Sequence, residues 1–348
     1  MEANPALGIF LHAIGGLAAA SFYLPFNRVK NWQWETLWLV GGFFSWVVAP
    51  IVAASIICPD LMGILREAPV KNLLWTYFFG VLWGVGGLTF GLSVRYLGQS
   101  LGFSLSLGFC AAFGTIIPPV FMGQAISLVT ETSGLVTLGG VAVCLIGIAV
   151  CGVAGMSKEK ELSAEQKTAT VKEFSFVKGL WVAIFAGIMS ACMAFAFEAG
   201  KPIQEVALAK GAPSLFSNLP LMIITFLGGL TTNLIWCVYL NWTKRSFRNY
   251  VDAGNAPLLL NYLLCALSGV TWYLQFFFFS MGKTRMGQYD FTSWTIHMAF
   301  IIAISNMWGL LLREWKSTST RTRATVVAGI LVLILSTVIV GVGNYLAQ

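Results

Sequence analysis

The chain consists mainly of apolar stretches of about 20 residues, separated by short polar connections. A transmembrane helix needs roughly 20 consecutive apolar residues, so each stretch predicts one membrane-spanning helix. Ten stretches occur, at about residues 6–26, 36–57, 73–94, 99–121, 134–155, 179–198, 214–240, 258–280, 289–312 and 324–346. The pattern predicts an all-α polytopic membrane protein with ten transmembrane helices.

One longer polar stretch, residues 156–178, lies between the fifth and sixth predicted helices and is rich in Lys and Glu. It divides the chain into a first five-helix repeat at 1–155, a cytoplasmic linker at 156–178, and a second five-helix repeat at 179–348. An odd number of helices per half places the second half upside down relative to the first, as in the inverted repeats of many secondary transporters.

A comparison of the two halves supports this duplication. A shift of 171 residues places Gly16 of the first predicted helix on Gly187 of the sixth. A shift of 189 residues places Gly140 of the fifth helix on Gly329 of the tenth. The alternative is a chance similarity between Gly-rich apolar helices.

The composition agrees with a protein that lies in lipid: 57% of residues are hydrophobic, 10% are charged, and the mean hydropathy is +0.78. Soluble domains carry about 25% charged residues, so a soluble, disordered or nucleic-acid-binding protein is excluded. Of the 21 Lys and Arg residues, 15 lie in the connections after helices 1, 3, 5, 7 and 9. Because cytoplasmic loops collect Lys and Arg, we predict that both termini are periplasmic.

Ionisable groups within membrane helices are costly and usually functional, which makes four residues candidates for proton coupling. They are His12, Glu198, Asp290 and His297. Glu198 also precedes Lys201 by three residues, so the two can pair on one helix face. The other interpretation is structural: Asp290 caps its helix and His297 bonds a neighbouring carbonyl.

Aromatic and amide side chains near these groups predict a pocket for a neutral sugar. Aromatic faces can pack on the C–H surface of a sugar, and an amide offers both a donor and an acceptor. The candidate sugar contacts are Trp272, Tyr273, Gln275, Tyr289, Ser293 and Trp294. Asp290, Ser293, Trp294 and His297 follow helical spacing, which predicts that they share one face of the ninth helix. The alternative is that these aromatic side chains only pack against lipid or neighbouring helices.

Other features predict no chemistry. The segment with Trp32, Trp34 and Trp38 is typical of an interfacial aromatic belt, and Glu35 within it could instead close a cytoplasmic gate. The seven Cys residues lie at irregular spacing in apolar runs, which indicates buried, inert thiols. Enzyme motifs for phosphate or zinc are not found, so we expect no cofactor and no metal.

Several stretches resemble the bacterial L-rhamnose–proton symporter family of the drug/metabolite transporter superfamily. They are FYLPFNRVK at 22–30, WQWETLW at 32–38, RYLG at 95–98, WYLQFFF at 272–278, and QYD at 288–290 followed by Ser293, Trp294, His297 and Met298. The resemblance implies ten helices in two inverted repeats in the bacterial inner membrane. It also implies proton-driven uptake of L-rhamnose or a related 6-deoxyhexose. The alternatives are an exporter or exchanger of another metabolite and a membrane enzyme acting on lipid-linked sugar.

Overall fold

The computed structural model describes residues 4–97, 99–121, 125–161, 175–251, 257–287, 293–311 and 315–346. The regular structure in these ranges is helical, and the α-helices are numbered in chain order. They are α1 Pro5–Ser21, α2 Tyr23–Phe26, α3 Trp34–Phe43, α4 Ala49–Ile57, α5 Leu61–Glu67, α6 Val70–Leu97, α7 Gln99–Phe121, α8 Ala125–Thr130, α9 Thr132–Glu161, α10 Phe176–Ala199, α11 Lys201–Ala209, α12 Leu219–Lys244, α13 Leu258–Arg285, α14 Ser293–Leu311 and α15 Thr320–Tyr345. A π-helical turn, Phe44–Val48, joins α3 to α4, and 3-10 turns lie at Ser214–Phe216 and Ser246–Tyr250.

Eight helical segments in the described ranges are long and apolar enough to cross a membrane, and they coincide with eight of the ten predicted spans. The other two predicted spans, 99–121 and 289–312, correspond to α7 and α14. Within the described part of α7, Gly102–Gly114 forms a shorter apolar helix. The start of the predicted ninth span lies outside the described residues. The protein is therefore polytopic and all-helical, and the count of ten stays a prediction.

The outer surface of the helices carries large apolar side chains. Examples are Ile56, Leu259 and Trp181, which are 77%, 75% and 68% exposed. Soluble monomers rarely expose large continuous apolar patches, so this surface suits contact with lipid. The interior contains the polar side chains of both histidines and of several Asn and Ser residues.

Helix packing relates the first half of the chain to the second. Helix α1 packs against α13 and α14, and helix α10 packs against α6 and α7. The contacts are close because small residues let the backbones approach. A Cβ added to Gly16 would lie 2.7 Å from the Phe300 Cβ, and one added to Gly187 would lie 2.5 Å from the Phe109 Cβ.

A second contact of this kind joins α9 to α15. A Cβ added to Gly140 would lie 2.8 Å from the Val340 backbone nitrogen, and one added to Gly329 would lie 3.0 Å from the Cys151 backbone nitrogen. Residues 340 and 151 differ by 189, which is the shift that superposes Gly140 on Gly329. The same shift therefore superposes both members of one contact on the other: Gly140 falls on Gly329, and Cys151, the partner of Gly329, falls on Val340, the partner of Gly140.

Candidate functional site

A cavity of about 100 Å³ lies at the centre of the helices and is lined mainly by aromatic side chains. Its wall includes residues of α1, α3, α6, α7, α10, α12, α13 and α14, so both halves of the chain build it. Five tryptophans contribute: Trp38, Trp46, Trp83, Trp272 and Trp294. The polar side chains of the wall are Ser190, Asn233 and Gln275. A mostly apolar cavity with a few convergent polar groups is typical of small-molecule sites.

Three of the predicted sugar contacts, Trp272, Gln275 and Trp294, line this cavity. The Trp294 indole Nε1 donates to the Cys110 carbonyl at 3.2 Å, which fixes the ring against α7. Tyr273 and Ser293 are buried beside the cavity, and their hydroxyls have no hydrogen-bond partner within the described residues. Tyr289 lies outside the described residues.

The phenyl ring of Phe279 on α13 is the point where four helices meet. It contacts His12 of α1 at a centroid distance of 5.4 Å, His297 of α14 at 5.2 Å and Phe197 of α10 at 5.3 Å. It also packs edge-on against Trp294 at 5.6 Å, and Trp294 belongs to the cavity wall. Phe279 therefore contacts both histidines and a ring of the cavity wall.

His12 and His297 are completely buried and face each other, with ring centroids 5.9 Å apart. All four ring nitrogens lack a hydrogen-bond partner within the described residues. A neutral imidazole offers one donor and one acceptor, and a buried unpaired polar group costs about 1–3 kcal/mol. The pair is therefore a candidate proton-binding site. Asp290, the third candidate of this group, lies outside the described residues.

Glu198 lies at the end of α10, where two ammonium groups face its carboxylate. Lys201 Nζ is 2.6 Å from one oxygen, as the spacing predicts, and Lys283 Nζ is 3.7 Å from the other. Lys283 belongs to α13, so the contact ties α10 to α13 one residue from the Phe197 ring. Glu198 is therefore near the histidine pair, in an ionic group of its own.

The match to known proteins covers nearly the whole chain. The profile of the family described as "L-rhamnose-proton symport protein (RhaT)" matches residues 1–346. The chain belongs to the L-rhamnose–proton symport family. Its relatives named L-rhamnose-proton symporter in Yersinia pestis (strain Pestoides F) and Cronobacter sakazakii (strain ATCC BAA-894) are each 39% identical over 340 residues, or 97% of both chains. Membership makes the protein a multi-pass membrane transporter and not an enzyme.

Within this symporter, the interfacial-belt interpretation of the first tryptophan segment is wrong for Trp32 and Trp38. Trp32 and Trp38 are buried, and Trp38 lines the cavity. The Trp38 Nε1 donates to Asn233 Oδ1 at 2.9 Å, across from α3 to α12. Asn233, Trp46 and Trp83 are not among the predicted contacts, because the prediction rested on titratable groups and one aromatic run. An amide in an otherwise apolar span was the signal that would have found Asn233.

Glu35 is fully buried at the start of α3 and contacts the end of α12. Lys244 Nζ lies 2.8 Å from one carboxylate oxygen, and the Ser246 hydroxyl donates to the other at 2.7 Å. We call Glu35, Lys244 and Ser246 the Glu35 cluster. The cluster therefore ties the start of α3, in the second predicted span, to the end of α12, in the seventh.

A second ionic group lies at the opposite ends of the same helices. Lys210, which follows α11, has its Nζ 3.1 Å from Asp60 Oδ2 and 2.6 Å from Glu67 Oε1. We call these three residues the Lys210 cluster. The hydrogen bond from Lys210 holds the pKa of the Asp60 carboxyl below its ordinary value, helped by the Gly63 N–H, which donates to Asp60 at 3.0 Å.

Proposed function

We propose that this protein imports L-rhamnose together with protons across the bacterial inner membrane by alternating access. Membership of the symport family supports the transported pair. The main support for a sugar-binding site is the aromatic cavity, whose wall is built by both halves of the chain. Such a cavity can open alternately to the two sides when the halves rock around it.

The sugar occupies this cavity. The Trp272 ring packs against the C–H face of the sugar, and the Gln275 amide, three residues later, bonds a hydroxyl. Trp294 closes the wall from α14. Tyr273, Ser293 and Tyr289 are further candidate contacts, and any closely related 6-deoxyhexose would use the same groups.

The proton is carried by the histidine pair. Two imidazoles 5.9 Å apart repel each other when both are charged, so the pair holds one proton at a time. Proton loading changes the contacts at Phe279, and these extend to Trp294 in the cavity wall. Asp290 and Glu198 are the candidate groups through which a proton reaches the pair.

The architecture belongs to the same proposal: ten spans in two inverted repeats, 1–155 and 179–348, joined by a cytoplasmic linker, with periplasmic termini. The reciprocal contacts of Gly140 and Gly329 support the repeat. The Glu35 cluster then closes the cytoplasmic end, and the Lys210 cluster closes the periplasmic end. A C-terminal tag accessible to a protease only from the cytoplasm would contradict this orientation.

The test uses purified protein in proteoliposomes, with two readouts. Counterflow measures sugar exchange for L-rhamnose and a panel of 6-deoxyhexoses and pentoses, and an external pH electrode measures proton uptake with the sugar. We expect His297→Gln and His12→Gln to keep L-rhamnose counterflow and lose sugar-induced alkalinisation.

The control is Ser305→Ala, a buried position about two turns further along α14. It should keep both activities. If both histidine variants still move protons with sugar at the wild-type ratio, the proton assignment is wrong. If wild-type protein exchanges another metabolite and not L-rhamnose, the substrate assignment is wrong.

A further inference from the structure

Asn233 is a buried amide in the cavity wall. It lies on α12, is 2% exposed, and is one of three polar side chains that line the cavity. Its neighbours on the wall are aromatic, among them Trp38 and Trp272. An amide in such a wall needs partners, because a buried unpaired polar group costs about 1–3 kcal/mol.

The surrounding bonds fix which way this amide points. Trp38 Nε1 can only donate, so the atom that it contacts at 2.9 Å must be the amide oxygen. The amide nitrogen then donates to the Gly229 carbonyl, one turn earlier in α12, at 2.8 Å. An amide nitrogen carries two hydrogens, so one N–H remains after this bond.

The Trp38 indole is itself held in place by its neighbours. It stacks on Trp34 at a centroid distance of 5.2 Å and meets the Trp46 ring edge-on at 6.2 Å. Trp46 lies in the π-helical turn Phe44–Val48, and such turns are frequent at functional sites. The indole therefore fixes the orientation of the Asn233 amide before the sugar binds.

We propose that Asn233 determines sugar specificity by donating its remaining N–H to a hydroxyl of the bound sugar, and that Trp38 is its positioning residue. This inference rests on the proposed function, because it assumes that the cavity holds L-rhamnose. A site built to bond a substrate hydroxyl rejects an analogue that lacks this hydroxyl, because the protein group is then left unpaired. One hydroxyl of the sugar should therefore be recognised through Asn233.

The experiment measures the dissociation constants of L-rhamnose and of its monodeoxy analogues by calorimetry on the purified protein. For wild type, we expect the analogue that lacks the hydroxyl bonded by Asn233 to bind about tenfold more weakly than L-rhamnose, as should the analogue that lacks the hydroxyl bonded by Gln275. For Asn233→Leu, one of these two analogues should bind as well as L-rhamnose, because the partner of its missing hydroxyl is gone, and the other should still bind more weakly. Asn233→Ala is a smaller replacement that also removes the donor, with the same expected loss of discrimination.

Trp38→Phe tests the positioning role, because it keeps an aromatic ring and removes the N–H. The amide is then free to turn. The ratio between the dissociation constants of L-rhamnose and of the analogue that lacks the hydroxyl bonded by Asn233 should fall severalfold, and the ratios for the other analogues should not change. Asn306→Leu is the matched control. Asn306 is also buried and also donates to the carbonyl four residues earlier, at 2.9 Å, but it is not in the cavity wall.

Each result decides one point. If Asn233→Leu and Asn233→Ala discriminate every analogue as wild type does, the inference is overturned. If Trp38→Phe discriminates as wild type does, the positioning role of Trp38 is wrong. If wild-type protein binds no L-rhamnose at all, the proposed function fails first, and this result differs from normal binding with unchanged discrimination.

Discussion

The Glu35 cluster and the Lys210 cluster both hold helices together through Lys–carboxylate contacts, but they differ in their exposure to water. The Glu35 side chain is 0% exposed, and its two oxygens are bonded by Lys244 and Ser246. The carboxylates of Asp60 and Glu67 are 59% and 62% exposed. The two ammonium groups are both partly exposed, at 46% for Lys244 and 21% for Lys210, so the clusters differ in the burial of their carboxylates.

This difference affects how firmly each end of the transporter is closed. Removing one partner of a buried charge pair leaves an uncompensated charge, whereas exposed ion pairs are screened by water and salt. In the proposed orientation, the cytoplasmic end is held by bonds to a buried carboxylate, and the periplasmic end is held by weaker bonds to exposed carboxylates. We expect the empty protein to open to the periplasm more readily than to the cytoplasm.

The largest effect should come from Lys244→Met, which leaves the Glu35 carboxylate buried without its cation. We expect a loss of about 1–3 kcal/mol in the free energy of unfolding, measured by denaturation in detergent, because the buried carboxylate keeps only its bond from Ser246. The double variant Glu35→Gln, Lys244→Met should recover most of this loss, because the amide is neutral. A single variant as stable as the double variant would contradict the burial argument.

The next effect concerns transport. Glu35→Gln weakens a charge-assisted bond worth about 1.5–3 kcal/mol, so the ratio of closed to open states at that end should fall about tenfold or more. We expect a markedly lower accumulation of L-rhamnose in energised vesicles. Lys210→Met is the matched comparison and should accumulate nearly as much sugar as wild type. Equal losses in both variants would remove the distinction between the clusters.

Salt should separate the clusters in a third way. In 1 M salt the Debye length is about 3 Å, compared with about 8 Å at physiological ionic strength. The difference in melting temperature between wild type and Lys210→Met should therefore shrink in 1 M NaCl. The corresponding difference for Lys244→Met should persist, because Glu35 is buried. A difference for Lys244→Met that vanishes in salt would show that water reaches the Glu35 carboxylate.

The smallest effect should be the pH dependence at Asp60. Its pKa is lower in the folded protein than in the unfolded chain, so it contributes stability above its ordinary pKa of 3.8, and this contribution is lost as the pH falls through the folded value. Wild type should melt slightly higher than Asp60→Asn at pH 6, and the difference should disappear on acidification below pH 3.8. A difference that grows on acidification would contradict the ion pair with Lys210.

Some of the site could be predicted from single helices, and some could not. The three-residue spacing of Trp272 and Gln275 predicts a common face, and both line the cavity. The spacing of Trp294 and His297 predicts the same, yet Trp294 lines the cavity while His297 lies against α1 and Phe279. A helix period gives relative directions around one axis, and the neighbours of that helix decide what each direction faces.

The class of the molecule and most of its helices follow from the amino-acid sequence, because long apolar runs with few charges have no stable place outside lipid. Family membership also follows from the sequence. Three features instead depend on the packing of the helices: His12 and His297 meet, Trp38 is buried against Asn233, and the Glu35 carboxylate is buried while that of Asp60 is exposed. Such contacts join residues far apart in the chain, and they depend on how whole helices pack, which no local pattern encodes.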